Sequence, residues 1–225
     1  MTTPRADSTP TLRSWAVLVG GMAALAIAGA LLPDLRALHY VTKPLATLLV
    51  ALMVWRAAAP QPDYRRAALA GLLLSTLGDV WLMLPWDAFV AGLASFLVAH
   101  LAYLFAFTRR VRLQSMQWPF LAYAMLAAAV LALLWPRLPD ALHVPVVVYV
   151  VALAAMAAQA AVVALQQPSS SSRAAALGGF CFVVSDALLA IDRFHTPLPL
   201  APLWVLASYW IAQFLIGRSV GHSRA

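Results

Sequence analysis

The amino-acid sequence predicts an all-α protein, a polytopic transmembrane helical bundle of about eight spans that forms a single transmembrane domain over residues 1–225. Composition is the first reason: 64% of the residues are apolar and only 10% are charged, too few to cover a water-soluble globule with polar surface. The second reason is that apolar runs recur along the chain at close to the roughly 20 residues that cross a bilayer as a helix. Short connections with breakers such as Pro33, Pro85 and Pro139 separate these runs, so neighbouring helices are expected to be antiparallel.

The first apolar run could be either a cleaved signal peptide or a membrane span. Ala26-Ile27-Ala28 resembles a small-residue cleavage site, but the run from Trp15 to Leu32 is longer than the apolar region of a signal peptide. We therefore expect an uncleaved helix. The eight expected spans cover residues 14–32, 41–57, 66–84, 88–107, 119–135, 144–165, 174–191 and 199–217.

The 15 Lys and Arg residues give a net charge of +7 but do not gather in one segment, as a nucleic-acid-binding surface would require. Nucleic acid is therefore not an expected partner. If the amino terminus is cytoplasmic, eleven of the 15 lie on that side of the membrane, which obeys the positive-inside rule for an even number of spans. Both termini are then expected in the cytoplasm, and in a bacterium the membrane would be the inner one. The outer side carries the other four, Arg36, Lys43, Arg137 and Arg193.

The third and seventh spans resemble each other in sequence. Arg66-Ala67-Ala68 begins one and Arg173-Ala174-Ala175 begins the other, and an aspartate, Asp79 or Asp186, follows each arginine by thirteen residues. Because the two spans run in the same direction, the resemblance indicates a possible parallel internal repeat of four helices plus four. Equivalent helices of the two halves would then meet near a central axis.

Asp79 and Asp186 are the candidate catalytic residues. Each lies in an apolar run about five residues, or roughly 8 Å, from the expected outer end of its helix, so the two should be level. Ionisable side chains inside the bilayer are costly and usually functional. Two carboxyl groups in a dry pocket should not both ionise easily, so one is expected to act as an acid and the other as a base, and the sequence leaves open which. The alternative is that each aspartate only hydrogen-bonds a neighbouring helix.

Lys43 and Arg193 are candidate residues for binding a phosphate. Lys43 is expected just inside the outer end of the second span, and Arg193 follows Asp186 by seven residues, nearly in line with it and about 10 Å nearer the outer surface. Together they could hold a phosphate above the carboxyl pair. Alternatively, both side chains could extend to the membrane interface, and Asp192 could simply be the ion-pair partner of Arg193.

Five further polar residues are candidates for substrate binding. His100 and Tyr103 stand three apart on one face of the fourth span, and the others are Tyr149, Tyr209 and Gln213. Tyr149 fits the expected level of the aspartates. His100 should lie some 10 Å deeper by helical rise and is the weaker candidate.

Neither a metal ion nor another cofactor is expected. The five histidines show no His-x-x-x-His or His-Glu-x-x-His spacing, and no Gly-x-Ser-x-Gly nucleophile motif occurs. The one metal alternative is a zinc ion bound by Asp79, Asp186 and His100 together.

Three segments, in this order along the chain, resemble the motifs of a known family: GLLLSTLGD at 71–79, GLASFLVAHLAY at 92–103 and FVVSDALLAI at 182–191. With Lys43-Pro44 and the segment Tyr149–Met156, they resemble the YhhN-type lysoplasmalogenase family from the second span to the eighth. At position 192 the chain has Asp where the family pattern has an amide.

The resemblance implies an eight-span enzyme that hydrolyses the vinyl ether bond of lysoplasmalogens with ethanolamine or choline headgroups. The products would be a fatty aldehyde and a glycerophospho-amine, and the partner would be a lysophospholipid-like membrane lipid. In this interpretation Asp79 and Asp186 share acid and base work, Lys43 and Arg193 receive the phosphate, and the apolar helices admit the alkenyl chain.

Other classes of function stay open at this point. Paired intramembrane carboxylates and a four-plus-four repeat are also typical of proton-coupled transporters, which leave their substrates chemically intact. A structural role would leave both aspartates without a part in turnover. Leu77-Gly78-Asp79 resembles part of the Gly-x-Gly-Asp motif of intramembrane aspartyl proteases, but Thr76 stands in place of the first glycine.

Overall fold

The computed structural model describes residues 11–221, which form eight α-helices joined by short connections and no β-strand. Two single-turn 3-10 helices, Pro33–Leu35 and Trp135–Arg137, lie in the connections after the first and fifth helices. The all-α class is therefore confirmed. The helices are α1 (Leu12–Leu31), α2 (Arg36–Arg56), α3 (Pro62–Met83), α4 (Phe89–Thr108), α5 (Trp118–Leu134), α6 (Asp140–Gln166), α7 (Ser170–Phe194) and α8 (Ala201–Arg218).

Each expected span overlaps one of these helices, and seven of them are long and apolar enough to cross a membrane. The exception is α8, which has 18 residues and is less apolar over that length than the others. It carries polar residues such as Tyr209 and Gln213, whose side chains are buried. Several boundaries differ from the prediction. Helix α2 begins at Arg36, five residues before the expected span, because the polar residues of its first turns interrupt the apolar run without ending the helix.

The distribution of polar side chains is that of a membrane protein. Large apolar side chains such as Val17 and Val144 are more than 70% exposed on the outside of the bundle, whereas Asp79, Lys43 and His100 are buried within it. In water this arrangement would be costly. In lipid the apolar exterior is matched to its solvent, and polar groups are expected to face the interior.

The helices pack mainly with their neighbours in the chain, so that α3 lies against α4 and α7 against α8. Helix α2 also contacts α8, and helix α6 also contacts α4, which brings the two halves of the chain together. The close approach of α3 and α4 depends on Gly78, where a Cβ atom would lie 2.6 Å from the ring of Phe96. These pairings are compatible with the four-plus-four repeat, which stays a prediction.

Candidate active site

Asp79 lies at the meeting point of α2, α3 and α8 and is 1% exposed. Its Oδ2 accepts hydrogen bonds from Thr47 Oγ1 at 2.9 Å and from the Tyr209 hydroxyl at 2.6 Å. Lys43 Nζ lies 3.6 Å from Oδ1, and Trp210 Nε1 donates to Thr47 Oγ1 at 3.3 Å. A carboxylate here therefore has a cation and two donors, the compensation that a buried charge requires.

The position of Lys43 follows from the course of α2. Because the helix begins at Arg36, Lys43 lies almost two turns inside it, and Thr47 lies one turn further along the same face. The lysine is 7% exposed, so its ammonium group does not extend to the membrane interface. The charged partner of Asp79 thus comes from a different helix and not from the apolar run around the aspartate.

Asp186 on α7 has a different set of partners. Tyr149 on α6 donates its hydroxyl to Asp186 Oδ2 at 2.5 Å, and His100 Nε2 on α4 lies 2.9 Å from the same hydroxyl. The His100 ring is fully buried, and its Nε2 is 3.5 Å from Asp186 Oδ2. Because Tyr149 donates to the carboxyl, its oxygen can accept a hydrogen bond from His100 when Nε2 carries the proton. Asp186 is thus surrounded by a hydroxyl and an imidazole rather than by an ammonium group.

The expected depth of His100 was wrong relative to Asp186, and the aspartates are not level when counted from their helix ends: Asp79 lies only four residues, or about 6 Å, from the end of α3. Helix α7 continues to Phe194, three residues beyond the predicted span, so Asp186 lies eight residues, or about 12 Å, from the end of its helix. His100 lies eleven residues, or roughly 16 Å, from the start of α4. The difference in depth is therefore smaller than predicted, and the His100 and Tyr149 side chains bridge it.

Both aspartates line one cavity of about 350 Å³. Lys43, Tyr149 and Tyr209 also line this cavity, which lies within the size range of pockets that bind small organic molecules. Most of its wall is apolar and comes from the helices after α3. Representative apolar residues of that wall are Phe96, Leu126, Val130, Val150, Val183 and Leu206.

Tyr103 and Gln213 form a separate polar contact between α4 and α8. The Tyr103 hydroxyl donates to Gln213 Oε1 at 2.7 Å, and both side chains are fully buried. Neither residue lines the cavity. The structure thus places these two predicted binding residues behind the cavity wall, where they join helices that carry other candidates.

Arg193 lies outside the cavity lining at the end of α7. It donates to Asp87 Oδ1 and Oδ2 at 2.9 and 2.8 Å, and its guanidinium carbon lies 4.2 Å from the centre of the Phe89 ring. The alternative pairing with Asp192 was wrong, because Asp192 Oδ1 instead accepts a hydrogen bond from the Leu198 backbone N–H. Phosphate binding by Lys43 and Arg193 stays a prediction.

Sequence reasoning did not identify Thr47, Trp210 or Asp87. For Thr47 a signal existed, since it follows Lys43 by four residues and so shares its helical face. Asp87 lies in the connection between α3 and α4, where nothing in the sequence indicates that it faces the end of α7. Within residues 11–221, no three His, Cys, Asp or Glu side chains are grouped so that they could hold a metal ion, and this includes the set proposed for zinc.

Comparison with known proteins identifies relatives along most of the chain. The model of the YhhN family matches residues 38–220. The lysoplasmalogenase of Mycobacterium tuberculosis is 33% identical over 202 residues, covering 83% of this chain and 76% of the relative. The lysoplasmalogenase TMEM86B of Sus scrofa is 36% identical over 182 residues, covering 80% and 73% respectively.

A further relative is known only as a membrane protein. The uncharacterized membrane protein YhhN of Escherichia coli O157:H7 is 28% identical over 184 residues, with 81% of this chain and 86% of the relative covered. No solved structure matches the chain. With a family match that covers nearly all of α2 to α8, and relatives above 30% identity along most of both chains, the protein belongs to the YhhN family.

Proposed function

We propose that this protein is a lysoplasmalogenase, which hydrolyses the vinyl ether bond of a lysoplasmalogen to a fatty aldehyde and a glycerophospho-amine. The observation that carries the proposal is one largely apolar cavity lined by two carboxyl groups that have different partners. The relatives named as lysoplasmalogenases support the same activity.

Hydrolysis of a vinyl ether needs an acid that can protonate carbon. The proton adds to the alkene carbon that does not bear the oxygen, which leaves a cationic oxocarbenium ion. Water then adds to the carbon next to the oxygen and gives up a proton, and the resulting hemiacetal collapses to an aldehyde and an alcohol. One water molecule is consumed. The enzyme must supply a positioned acid, a group that stabilises the cation and accepts the proton from water, and a dry site.

The partners of the two aspartates favour a division of these roles. Asp79 has the Lys43 ammonium group within 3.6 Å and two hydroxyl donors, all of which stabilise a carboxylate. We assign it to stabilise the oxocarbenium ion and to accept the proton from water. Asp186 has Tyr149 and His100 as partners and no ammonium or guanidinium group within ion-pair distance among the described residues. We assign it as the acid that protonates the alkene carbon.

The rest of the cavity is suited to a hydrocarbon chain. Its apolar wall would accommodate the alkenyl chain and keep bulk water away from the cation, apart from the one water that reacts. A lysolipid has one chain, and this is compatible with a cavity of about 350 Å³ that is partly open. The same wall gives no reason to bind a polar metabolite of the kind that a proton-coupled carrier would transport.

The decisive experiment is product analysis on the purified full-length protein in detergent. With a lysoplasmalogen we expect fatty aldehyde and glycerophospho-amine in equal amounts, and with the saturated ether analogue we expect neither, because an alkyl ether has no alkene carbon to protonate. In D₂O, one deuterium should appear on the aldehyde carbon next to the carbonyl, trapped by reduction to the alcohol.

Recovery of all the lysoplasmalogen intact would contradict the proposed hydrolysis. Movement of intact lysoplasmalogen across a vesicle membrane would favour the transporter. Aldehyde without deuterium at that carbon would retain hydrolysis but contradict transfer of a proton to carbon.

A further inference from the structure

A second cavity, of about 500 Å³, lies beside the first near the start of α2 and the end of α3. It is polar where the first is apolar, and it is lined by Arg36, His39 and Tyr40. The two cavities share the wall residues Ala30, His39 and Leu82, and are therefore adjacent to each other.

One face of α2 connects the two cavities. Arg36, His39, Tyr40 and Lys43 follow one another at spacings of three and four residues, so they form a polar stripe along the helix. Arg36 lies about 10 Å from Lys43 along the axis. The stripe thus runs from an exposed guanidinium group to the ammonium group that pairs with Asp79.

Arg36 is a cation of this outer region that lines a polar cavity and has no carboxylate partner among the described residues. Lys43 pairs with Asp79, and Arg193 pairs with Asp87 through two hydrogen bonds. In the described part of the chain, no carboxylate lies within ion-pair distance of Arg36. A guanidinium group at the edge of a polar cavity is suited to bind a phosphate, with which it forms paired, charge-assisted hydrogen bonds.

The wall between the cavities is held in place by α1. His39 donates from Nδ1 to the Ala26 carbonyl oxygen at 2.8 Å, which leaves Nε2 as the ring nitrogen available to a ligand. A Cβ atom at Gly29 would lie 2.6 Å from the His39 backbone nitrogen and 2.8 Å from the Leu35 carbonyl oxygen. Because both obstacles are backbone atoms, only glycine permits this close approach of α1 to the beginning of α2.

We propose that the second cavity binds the phosphodiester headgroup of the lysolipid substrate, with Arg36 on the phosphate and the Tyr40 hydroxyl as an additional donor. This inference rests on the proposed function. The alkenyl chain would occupy the first cavity, and the glycerol would pass the shared wall at His39. The vinyl ether, one glycerol unit from the phosphate, then lies beside Lys43 and the two aspartates.

The test is binding of two ligands that the enzyme cannot cleave, a saturated ether lysophosphoethanolamine and the alkylglycerol that lacks its phosphate. Both are titrated against full-length protein in detergent. Arg36→Gln should weaken binding of the phosphate-containing ligand by about tenfold or more, the scale of a lost charge-assisted contact. Binding of the alkylglycerol should not change, which also shows that the variant is folded.

Two further variants sharpen the test. Arg137→Gln removes another outer-side arginine, which donates to His195 away from both cavities, and should change neither affinity. Tyr40→Phe removes only a hydroxyl and should weaken binding of the phosphate-containing ligand by about tenfold, the scale of one hydrogen bond to a charged group. With a lysoplasmalogen as substrate, Arg36→Gln should raise KM and leave kcat nearly unchanged.

Unchanged affinity of Arg36→Gln for the phosphate-containing ligand would overturn the assignment, as would equal weakening of both ligands. Free inorganic phosphate should compete with the lysophosphoethanolamine but not with the alkylglycerol. This result would support the proposal that the second cavity recognises the phosphate of the headgroup. A wild-type protein that shows this phosphate-dependent binding but releases no aldehyde would retain the headgroup site and contradict the proposed hydrolysis instead.

Discussion

Nζ of Lys43 lies 3.6 Å from Oδ1 of Asp79 inside the bundle, and both side chains are almost completely shielded from solvent. Removing two opposite charges from water is costly, and the pair is stable only because hydroxyl donors complete the surroundings of the carboxylate. The lysine is thus part of the carboxylate's immediate environment. Its first role is to balance the charge of Asp79.

Lys43→Met should leave Asp79 without its cation and lower thermal stability in detergent, because an uncompensated buried charge costs up to about 3–5 kcal/mol. Adding Asp79→Asn should recover much of the loss, since the remaining group is neutral. The measurement is the melting temperature of the two single variants and the double variant. Strictly additive losses would show that the pair makes no mutual contribution.

Asp79→Asn and Asp186→Asn should each lower the rate of aldehyde release by at least about a hundredfold, the scale of lost general acid or base catalysis. Asparagine retains the size of the side chain but cannot exchange a proton. The double variant should be little slower than either single variant, because members of one catalytic unit are not additive.

The matched control is Asp140→Asn, an exposed aspartate in the first turn of α6, which should leave the rate unchanged. Near-normal turnover by either of the two buried variants would contradict the shared acid and base mechanism. Chelators should have no effect, and loss of activity on chelation, restored by zinc, would favour the alternative with His100.

Arg193→Met should lower the melting temperature slightly more than Asp87→Asn, since both remove the ion pair but only Arg193→Met also removes the guanidinium from the Phe89 ring. We expect the exposed pair to contribute about 1 kcal/mol or less. If Arg36 binds the phosphate in place of Arg193, neither variant should change KM. A higher KM for Arg193→Met alone would show that the arginine binds the phosphate after all.

Both termini should face the cytoplasm, as the distribution of basic residues indicates. A carboxyl-terminal fusion to a reporter that is active only in the cytoplasm should give signal, and the same fusion to a reporter that is active only in the periplasm should not. The opposite pattern would invert the topology and place the two cavities near the inner leaflet.

The sequence was informative where the physical signal is local. Apolar length predicts the helices, and the cost of burying a carboxyl group marks Asp79 and Asp186 as important. Pairing between distant helices carries no such signal: nothing local indicates that Lys43 would pair with Asp79 or that Arg193 would pair with Asp87. The depth of His100 relative to Asp186 was wrong because it was counted from apolar boundaries, whereas α7 extends beyond its apolar run.

Helix α5 forms part of the wall of the first cavity, yet within it only Pro119 and Leu134 are buried, and its packing is almost entirely against α6. A helix with so few buried residues can shift sideways at a small cost in packing energy for the rest of the bundle. In a membrane, the unburied face of α5 would contact the hydrocarbon interior of the bilayer. A single-chain lipid could then enter the cavity laterally from the leaflet, and the fatty aldehyde could leave by the same route. Neither the chain of the substrate nor that of the product would then have to pass through water.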